Sequence, residues 1–481
     1  MNGLPARTDL RFDYPRDQTE LRGPGYWLKW RNLAASRRTF RADNSNRWRY
    51  AFHRETLIDQ SRMASFSSLL KPQALSHPRP DGSLFRFIII ADTGEGDRSQ
   101  YALLPAINAL EPDFMIINGD VAYPAGRMED YLYGFFEPYR GLDIPIWAVP
   151  GNHEYYSPGN GQEFFEIFCT RKHEDLWQSN GLRLVPQPAT YWALTQRDVP
   201  AGAHGAWGAL PLTVIGIDTG HSGNLDGWSR STAGPLPIPW TGKRRFEEGD
   251  FEQHTWLDTR LREVDAQNGS AIVLFHIPSL VDTERKTEIH LDSLHQILLS
   301  HPCVRFVMCG HIHNYQRYDR ATFRRFLSVE YRRSPNCNPD YVVAGAGGAG
   351  LAATDFKVGG YGASFIFPSA PQWRAYASRV RKALAGWDKL KYSVADHLAA
   401  VIAQKAPLDN DPVEFGCFLV VDVKTDKAIV TPFLMSDLAA LYPTKPPGSV
   451  IALNDSQERL ALGPLNSCLA TDPGGQWVIT F

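Results

Sequence analysis

The chain has 481 residues, of which 43% are hydrophobic and 21% charged, and its formal net charge is -2. These values belong to a folded globular protein and exclude a disordered one, and the near-neutral charge excludes a global attraction to nucleic acid or to an anionic membrane. Six scattered cysteines with no Cys-x-x-Cys pair argue against a disulfide scaffold and for a reducing compartment.

Residues 1–84 read as a basic, aromatic N-terminal extension, with Tyr26-Trp27-Leu28-Lys29-Trp30-Arg31 and Arg47-Trp48-Arg49-Tyr50 interleaving cations and rings. Such a surface can bind phosphates or stack single-stranded bases. The simpler reading is that the rings dock the extension onto the main domain, with arginine stems covering them. No apolar leader opens the chain and no apolar run reaches the roughly 18 residues of a membrane span, so the expected location is cytoplasmic, without a membrane partner.

From residue 85 the pattern alternates between strand and helix. Phe87–Ile90 is an apolar strand ending at Asp92, and Ser99 precedes a helical pattern through Leu103, Ile107 and Leu110. The strand Phe114–Ile117 ends in Gly119-Asp120-Val121-Ala122-Tyr123. Met128–Tyr139 is a second helical pattern, and the strand Ile144–Val149 ends in Gly151-Asn152-His153-Glu154. Leu212–Ile217 is a further strand, followed by a Gly- and Pro-rich insertion at about 220–249. An amphipathic helix over Phe251–Val264 turns Trp256, Leu257, Leu261 and Val264 inward. It leads to the strand Ile272–Phe275, which ends at His276, and Val304–Met308 ends in Gly310-His311-Ile312-His313.

The run Gly345–Gly350 contains a literal G-x-G-x-x-G, but no helix pattern follows it, which argues against a dinucleotide fingerprint. A second insertion at about 356–412 is rich in Arg, Lys and Ala and has a helical pattern. Phe418–Val423 and Ala428–Val430 form a hairpin pattern, and residues 441–481 are read as a C-terminal appendage. The resulting division is an extension over 1–84, a catalytic domain over 85–440 and the appendage.

Five strand-like runs therefore end in a side chain that can ligate a metal. Each alone has an ordinary explanation, as a helix cap, a turn or a hydrogen-bonded core histidine. Five in order make coincidence a poor account. Carboxylates, imidazoles and an amide oxygen suit Zn, Fe or Mn, not a thiolate-bound structural metal.

The order and spacing of Asp92, Gly119-Asp120, Gly151-Asn152-His153-Glu154, His276 and Gly310-His311-Ile312-His313 resemble the calcineurin-like metallophosphoesterase superfamily. Tyr123, three residues after the second Asp, and Tyr315 and Arg317 after the last histidines resemble its purple acid phosphatase branch. The resemblance implies a four-layer α/β/β/α sandwich with the site at the strand ends between two sheets. It also implies two metal ions, Fe(III) with Fe(II), Zn(II) or Mn(II). Asp92, Asp120, Tyr123 and His313 would hold the first ion, and Asp120, Asn152, His276 and His311 the second, with Asp120 as the bridge.

The implied reaction is hydrolysis of a small phosphate monoester by metal-bound hydroxide, with catalytic roles for Asp120 and for His153. His153 would stabilise the phosphoryl oxygens or protonate the leaving group. Alternatives are a phosphodiesterase acting on nucleotides or nucleic acid, and a catalytically silent metal- or phosphate-binding protein of the same fold. Arg98, Arg127, Tyr155, His204 and His221 lie near motifs or in loops and are candidates for substrate contact. The chain departs from the branch pattern at Ala91, where Gly is usual, and in lacking a Tyr after Pro278.

Overall fold

The computed structural model describes residues 61–71, 78–96, 98–155, 157, 159, 161–196, 210–220, 249–278, 292–318, 320, 339–348, 363–368, 372, 415–436 and 469–481. Outside them lie the Arg- and Trp-rich part of the N-terminal extension, most of both insertions, His204, His221, Cys337 and Cys468.

Among these residues the strands form two sheets. In the first, β2 (Phe85–Ile90), β3 (Phe114–Asn118) and β4 (Ile146–Val149) run parallel, with Ile90 opposite Ile117 and Asn118 opposite Val149. The hairpin of β12 (Phe415–Val423) and β13 (Lys427–Ser436) continues the sheet on the far side of β2. In the second, β6 (Leu210–Ile217), β7 (Ser270–Phe275), β8 (Val304–Cys309) and β10 (Asp340–Ala344) run parallel, and Phe275 lies opposite Cys309. Parallel register brings the C-terminal ends of neighbouring strands side by side, where sites of open α/β sheets form. Asp92 and Asp120 thus follow adjacent strand ends, as do His276 and His311.

Period-two alternation divides each strand between two cores. Phe87, Ile89, Phe114, Ile116, Ile272, Leu274, Phe306 and Met308 fill the space between the sheets. Ile88, Ile90, Met115 and Ile117 face outward against α1 (Arg98–Tyr101), α2 (Leu104–Ala109), α3 (Met128–Tyr131), α4 (Gln162–Phe168) and α5 (Glu174–Ser179). On the other side Ala271, Val273, Phe275, Val304 and Val307 meet α6 (Gly249–Ala266) and α7 (Asp292–Ser300), with Trp256, Leu257, Leu261 and Val264 buried. Three apolar layers between two sheets and two helical flanks give the α/β/β/α sandwich that the resemblance implied.

Several elements differ in detail from the sequence reading. The helix expected after Ser99 is broken into α1 and α2, with Pro105 in the first turn of α2. Proline has no N–H to donate to the carbonyl of Tyr101 and its ring crowds that carbonyl, so one continuous helix cannot form. The Met128–Tyr139 pattern starts as α3 and continues as a π-helical turn over Leu132–Phe136. Gly134 in this turn accepts the side-chain amide of Gln100, at 2.7 Å, which ties the turn to α1.

Short strands in both stretches assigned to extensions join the sheets. β1 (Met63–Ser65) pairs with β5 (Trp192–Gln196), and β15 (Trp477–Thr480) with β13. Cys169, Cys303, Cys309 and Cys417 are buried and form no disulfide among the described residues. Among the described residues no helix is long and apolar enough to cross a membrane.

Candidate metal centre

The site is assembled from loops after β2, β3, β4, β7 and β8. Three of its residues have left-handed backbones: Asp92 (φ 57°), Asp120 (φ 51°) and His311 (φ 71°). Non-glycine residues in this region are uncommon, Asp and His being among those that enter it more readily, and such strain concentrates at functional sites. It turns the chain sharply past these three strand ends, so that the left-handed residue's own side chain joins the cluster. Gly119 (φ 90°) precedes Asp120, and a Cβ there would overlap the ring of His276.

Two groups of donors meet at Asp120. On one side the Tyr123 hydroxyl lies 3.0 Å from Asp120 Oδ2, 3.2 Å from Asp92 Oδ1 and 3.1 Å from His313 Nε2. His313 Nε2 is 3.5 Å from Asp92 Oδ1. On the other side His276 Nε2 lies 3.2 Å from both Asp120 Oδ2 and Asn152 Oδ1, and His311 Nδ1 is 2.8 Å from that same amide oxygen. One ligating atom from each of Asp120, His276 and His311 falls within 4.8 Å of the other two.

The surroundings orient these groups. The Asn118 main-chain oxygen, which can only accept, lies 3.0 Å from His276 Nδ1 and so fixes the proton there, turning Nε2 toward the crevice. The Asn118 side chain donates to the carbonyls of Phe275 and Met308, both at 3.1 Å, stitching the two sheets together directly beneath the site. The His311 N–H donates to Asp92 Oδ2 at 2.8 Å, and the His153 N–H to Asp120 Oδ1 at 3.0 Å.

Charge and burial show what the cluster can accept. Asp92 and Asp120 are buried, and among the described residues no Lys or Arg pairs with either; their ion-pair partners are imidazoles. Burial disfavours charge on Asp120, but His276 holds its carboxyl well below the usual range. Burial likewise opposes charge on His276, yet Asp120 and Asp92 push it up to about 10. A proton on His276 Nε2 is thus compensating buried carboxylates, and a cation can take its place. Burial, then Asp120 and Asp92, push the Tyr123 phenol well above its ordinary value, so ionising it calls for a positive charge nearby. Oxygen and nitrogen donors without a thiolate, in a buried space, suit bound metal cations.

His153 stands beside the cluster, partly exposed, with its ring 4.2 Å from that of Tyr123 and Nε2 3.9 Å from Asp120 Oδ2. Its Nδ1 lies 2.7 Å from the Pro124 carbonyl, and burial lowers its pKa, which favours a neutral ring with Nε2 unprotonated.

Other sequence candidates have partners inside the protein. Arg127 pairs with Asp130 at 3.0 Å, and the buried Tyr155 hydroxyl donates to Asp218. The backbone of Arg98 opens α1, while its side chain lies outside what is described. Tyr315 and Arg317 bind Asp472, at 2.6 and 3.0 Å, and Arg317 covers the Trp477 ring. They clip the C-terminal segment to β9 (Tyr315–Tyr318). Gly345 and Gly347 donate to Asn314 and Ala91, both at 3.0 Å, so the glycine run lies along the site loops.

Asn118 and Glu154 were not singled out from the sequence. A polar residue closing the apolar run Phe114–Ile117 was the available signal for Asn118. Glu154 was visible only as the last letter of a motif. Burial and the charge of Asp120 push the Glu154 carboxyl up to about 8, against main-chain donors that favour its ionised form.

Residues 85–315 match the family model described as calcineurin-like phosphoesterase. No curated protein matches the chain in sequence. Among solved structures it is similar to a purple acid phosphatase from yellow lupin (Lupinus luteus) seeds, at 13% identity and TM-score 0.39, covering 72% of this chain. The match spans about half of that protein, 51% of its chain. A dimetal phosphatase from Danio rerio matches at 13% identity and TM-score 0.37, covering 73% of this chain and 96% of its own. GAP50, the anchor in the inner membrane complex of Plasmodium, matches at 12% identity and TM-score 0.42, covering 81% and 98%.

Proposed function

We propose that this chain is a phosphatase that hydrolyses small phosphate monoesters at a two-cation centre, a reading supported by the match of residues 85–315 to the calcineurin-like phosphoesterase model. The observation that carries the reading is the convergence of two donor sets on the one carboxylate of Asp120. In this reading Asp92, Asp120, Tyr123 and His313 hold one cation, and Asp120, Asn152, His276 and His311 the other. When bound, the pair supplies Lewis-acid activation of water and of the phosphoryl oxygens. Iron(III) with iron(II), zinc(II) or manganese(II) is the pair proposed, since Tyr123 offers a phenolate that a trivalent ion stabilises.

The protein's own groups have distinct tasks in the reaction. Asp120 holds the two donor sets in register through one side chain. Asn118 fixes the tautomer of His276, and the Asp92 carboxylate anchors the main chain of His311. His153, braced by Pro124, presents a neutral Nε2 beside the phosphoryl group: it accepts the hydrogen bond of a protonated phosphoryl oxygen, or takes up that proton and passes it to the leaving group. A reducing, cytoplasmic setting belongs to the same reading and is supported by four buried cysteines that form no disulfide among the described residues.

The test compares para-nitrophenyl phosphate with bis(para-nitrophenyl) phosphate, on protein stripped by chelator and on protein reloaded with Fe, Zn or Mn. The monoester should be cut faster, with activity lost on stripping and restored on reloading. Faster cleavage of the diester would make it a diesterase. Metal-loaded protein that cuts neither ester would leave a binding protein of this fold.

A further inference from the structure

The side chain of Glu154 spans the two loops that bear the central ligand candidates. It sits in the short 3-10 turn His153–Tyr155 and is fully buried. Its Oε2 accepts the N–H groups of Asp120 (3.0 Å) and Gly151 (2.6 Å), while Oε1 accepts those of Val121 (2.9 Å) and Ala122 (3.1 Å). Three of these donors are consecutive residues on the loop after β3, and the fourth opens the loop after β4. All its hydrogen-bond partners among the described residues are main-chain groups.

Consecutive N–H groups converge in this way because Gly119 and Asp120 both have positive φ. Such a turn makes a concave anion-binding nest. Here an internal carboxylate fills it. A carboxyl group held by four main-chain donors, at 2.6–3.1 Å, fixes the backbone at four points across the two loops. What it constrains is the peptide carrying Asp120 relative to the peptide preceding Asn152.

We propose that Glu154 is a positioning residue for the two-cation centre: its carboxylate sets the spacing between the Asp120 loop and the Asn152 loop, and so makes one carboxylate able to serve both donor sets. The proposal rests on the two-cation reading above. It separates Glu154 from its neighbour His153, which faces the substrate side. It also separates a fold-stabilising role from a metal-positioning one, since Glu154 touches no candidate ligating atom and acts only through main-chain N–H groups.

The test uses Glu154→Gln and Glu154→Asp in the full chain. The amide keeps the size but turns a donor toward two of the four N–H groups. The shorter acid keeps the charge but cannot span both loops. Folding is checked by circular dichroism, Mn(II) affinity by titration against a competing chelator, and the coupling between paired Mn(II) ions by electron paramagnetic resonance. Wild-type protein should bind two Mn(II) ions with an exchange-coupled signal. Both variants should bind Mn(II) about 10–100-fold more weakly, the usual effect of removing a group that orients a ligand, and lose the coupled signal.

A merely structural role would lower the melting temperature and leave affinity and coupling as in wild type, in either variant that folds; that result overturns the proposal. Should only Glu154→Asp fold, its affinity and signal decide alone; should neither fold, the carboxylate is serving the fold itself and the positioning role is rejected. Wild-type protein that binds no Mn(II) would instead remove the two-cation reading, and this proposal with it.

Discussion

Gly119→Ala tests how the backbone of the central loop is coupled to His276. Two costs apply. An L-residue held in left-handed backbone costs roughly 1–2 kcal/mol. The new Cβ would also overlap the His276 ring, which must move away and lose the 3.0 Å contact from Nδ1 to Asn118, worth about 0.5–1.5 kcal/mol. Together they come to about 2–3 kcal/mol. In a domain of about 350 residues, where 1 kcal/mol shifts the melting temperature by about 1.3 °C, that lowers it by roughly 3–4 °C. Gly141→Ala is the control, because Gly141 also has positive φ (78°) but nothing lies within 4 Å of its missing Cβ. It carries the backbone cost alone. Thermal melts with and without Mn(II), beside chelator competition, measure both effects. Gly119→Ala should lose more stability than Gly141→Ala and should alone bind metal more weakly. Equal losses, with metal affinity unchanged in both, would refute the packing of His276 against this glycine.

Three further outcomes are expected. Asp120→Ala should lose bound metal, by elemental analysis, together with phosphatase activity, while a variant that keeps both ions would end its assignment as the bridge. If iron(III) binds Tyr123, the native protein should show a phenolate charge-transfer band in its visible spectrum, and Tyr123→Phe should bleach it while keeping the other ligands. An iron(III)-loaded protein without the band would strike Tyr123 from the set. Trp477→Ala removes a buried ring that Arg317 covers (4.1 Å) and Phe306 meets edge-on (5.0 Å), and should cost about 3–5 kcal/mol in chemical unfolding. A loss below about 1 kcal/mol would mean that β15 is not held there in solution.

The strands before the site were legible because each is dominated by buried apolar residues, with Arg86 and Arg305 the charged interruptions, and is followed within a few residues by a polar one. The residues that end the runs could therefore be read one by one. What holds them could not. Glu154 finds its partners through two consecutive left-handed residues, and neither Gly119 nor Asp120 announces in sequence where the following N–H groups will point. Asn118 reaches carbonyls of strands more than 150 residues away, at Phe275 and Met308. The pairing of β1 with β5 and of β15 with β13 was equally hidden, since segments of three or four residues carry too little alternation to read. Pro105 was in plain view, and its position inside a helical pattern was the available sign that the helix after Ser99 would break. Tyr155 and Arg127 were read from proximity in sequence, which says nothing of whether a side chain already has a partner.

The left-handed backbones of Asp92, Asp120 and His311 set the demands of folding against those of chemistry. Glycine would relax all three turns, and at each it would delete a donor. A protein of this fold released from its catalytic duty could therefore gain stability by drifting to glycine at just these positions. Stability and function pull on the same three codons in opposite directions. That this chain keeps two aspartates and a histidine there means that the strain is being maintained, and the chemistry of the crevice is the reason we assign to it.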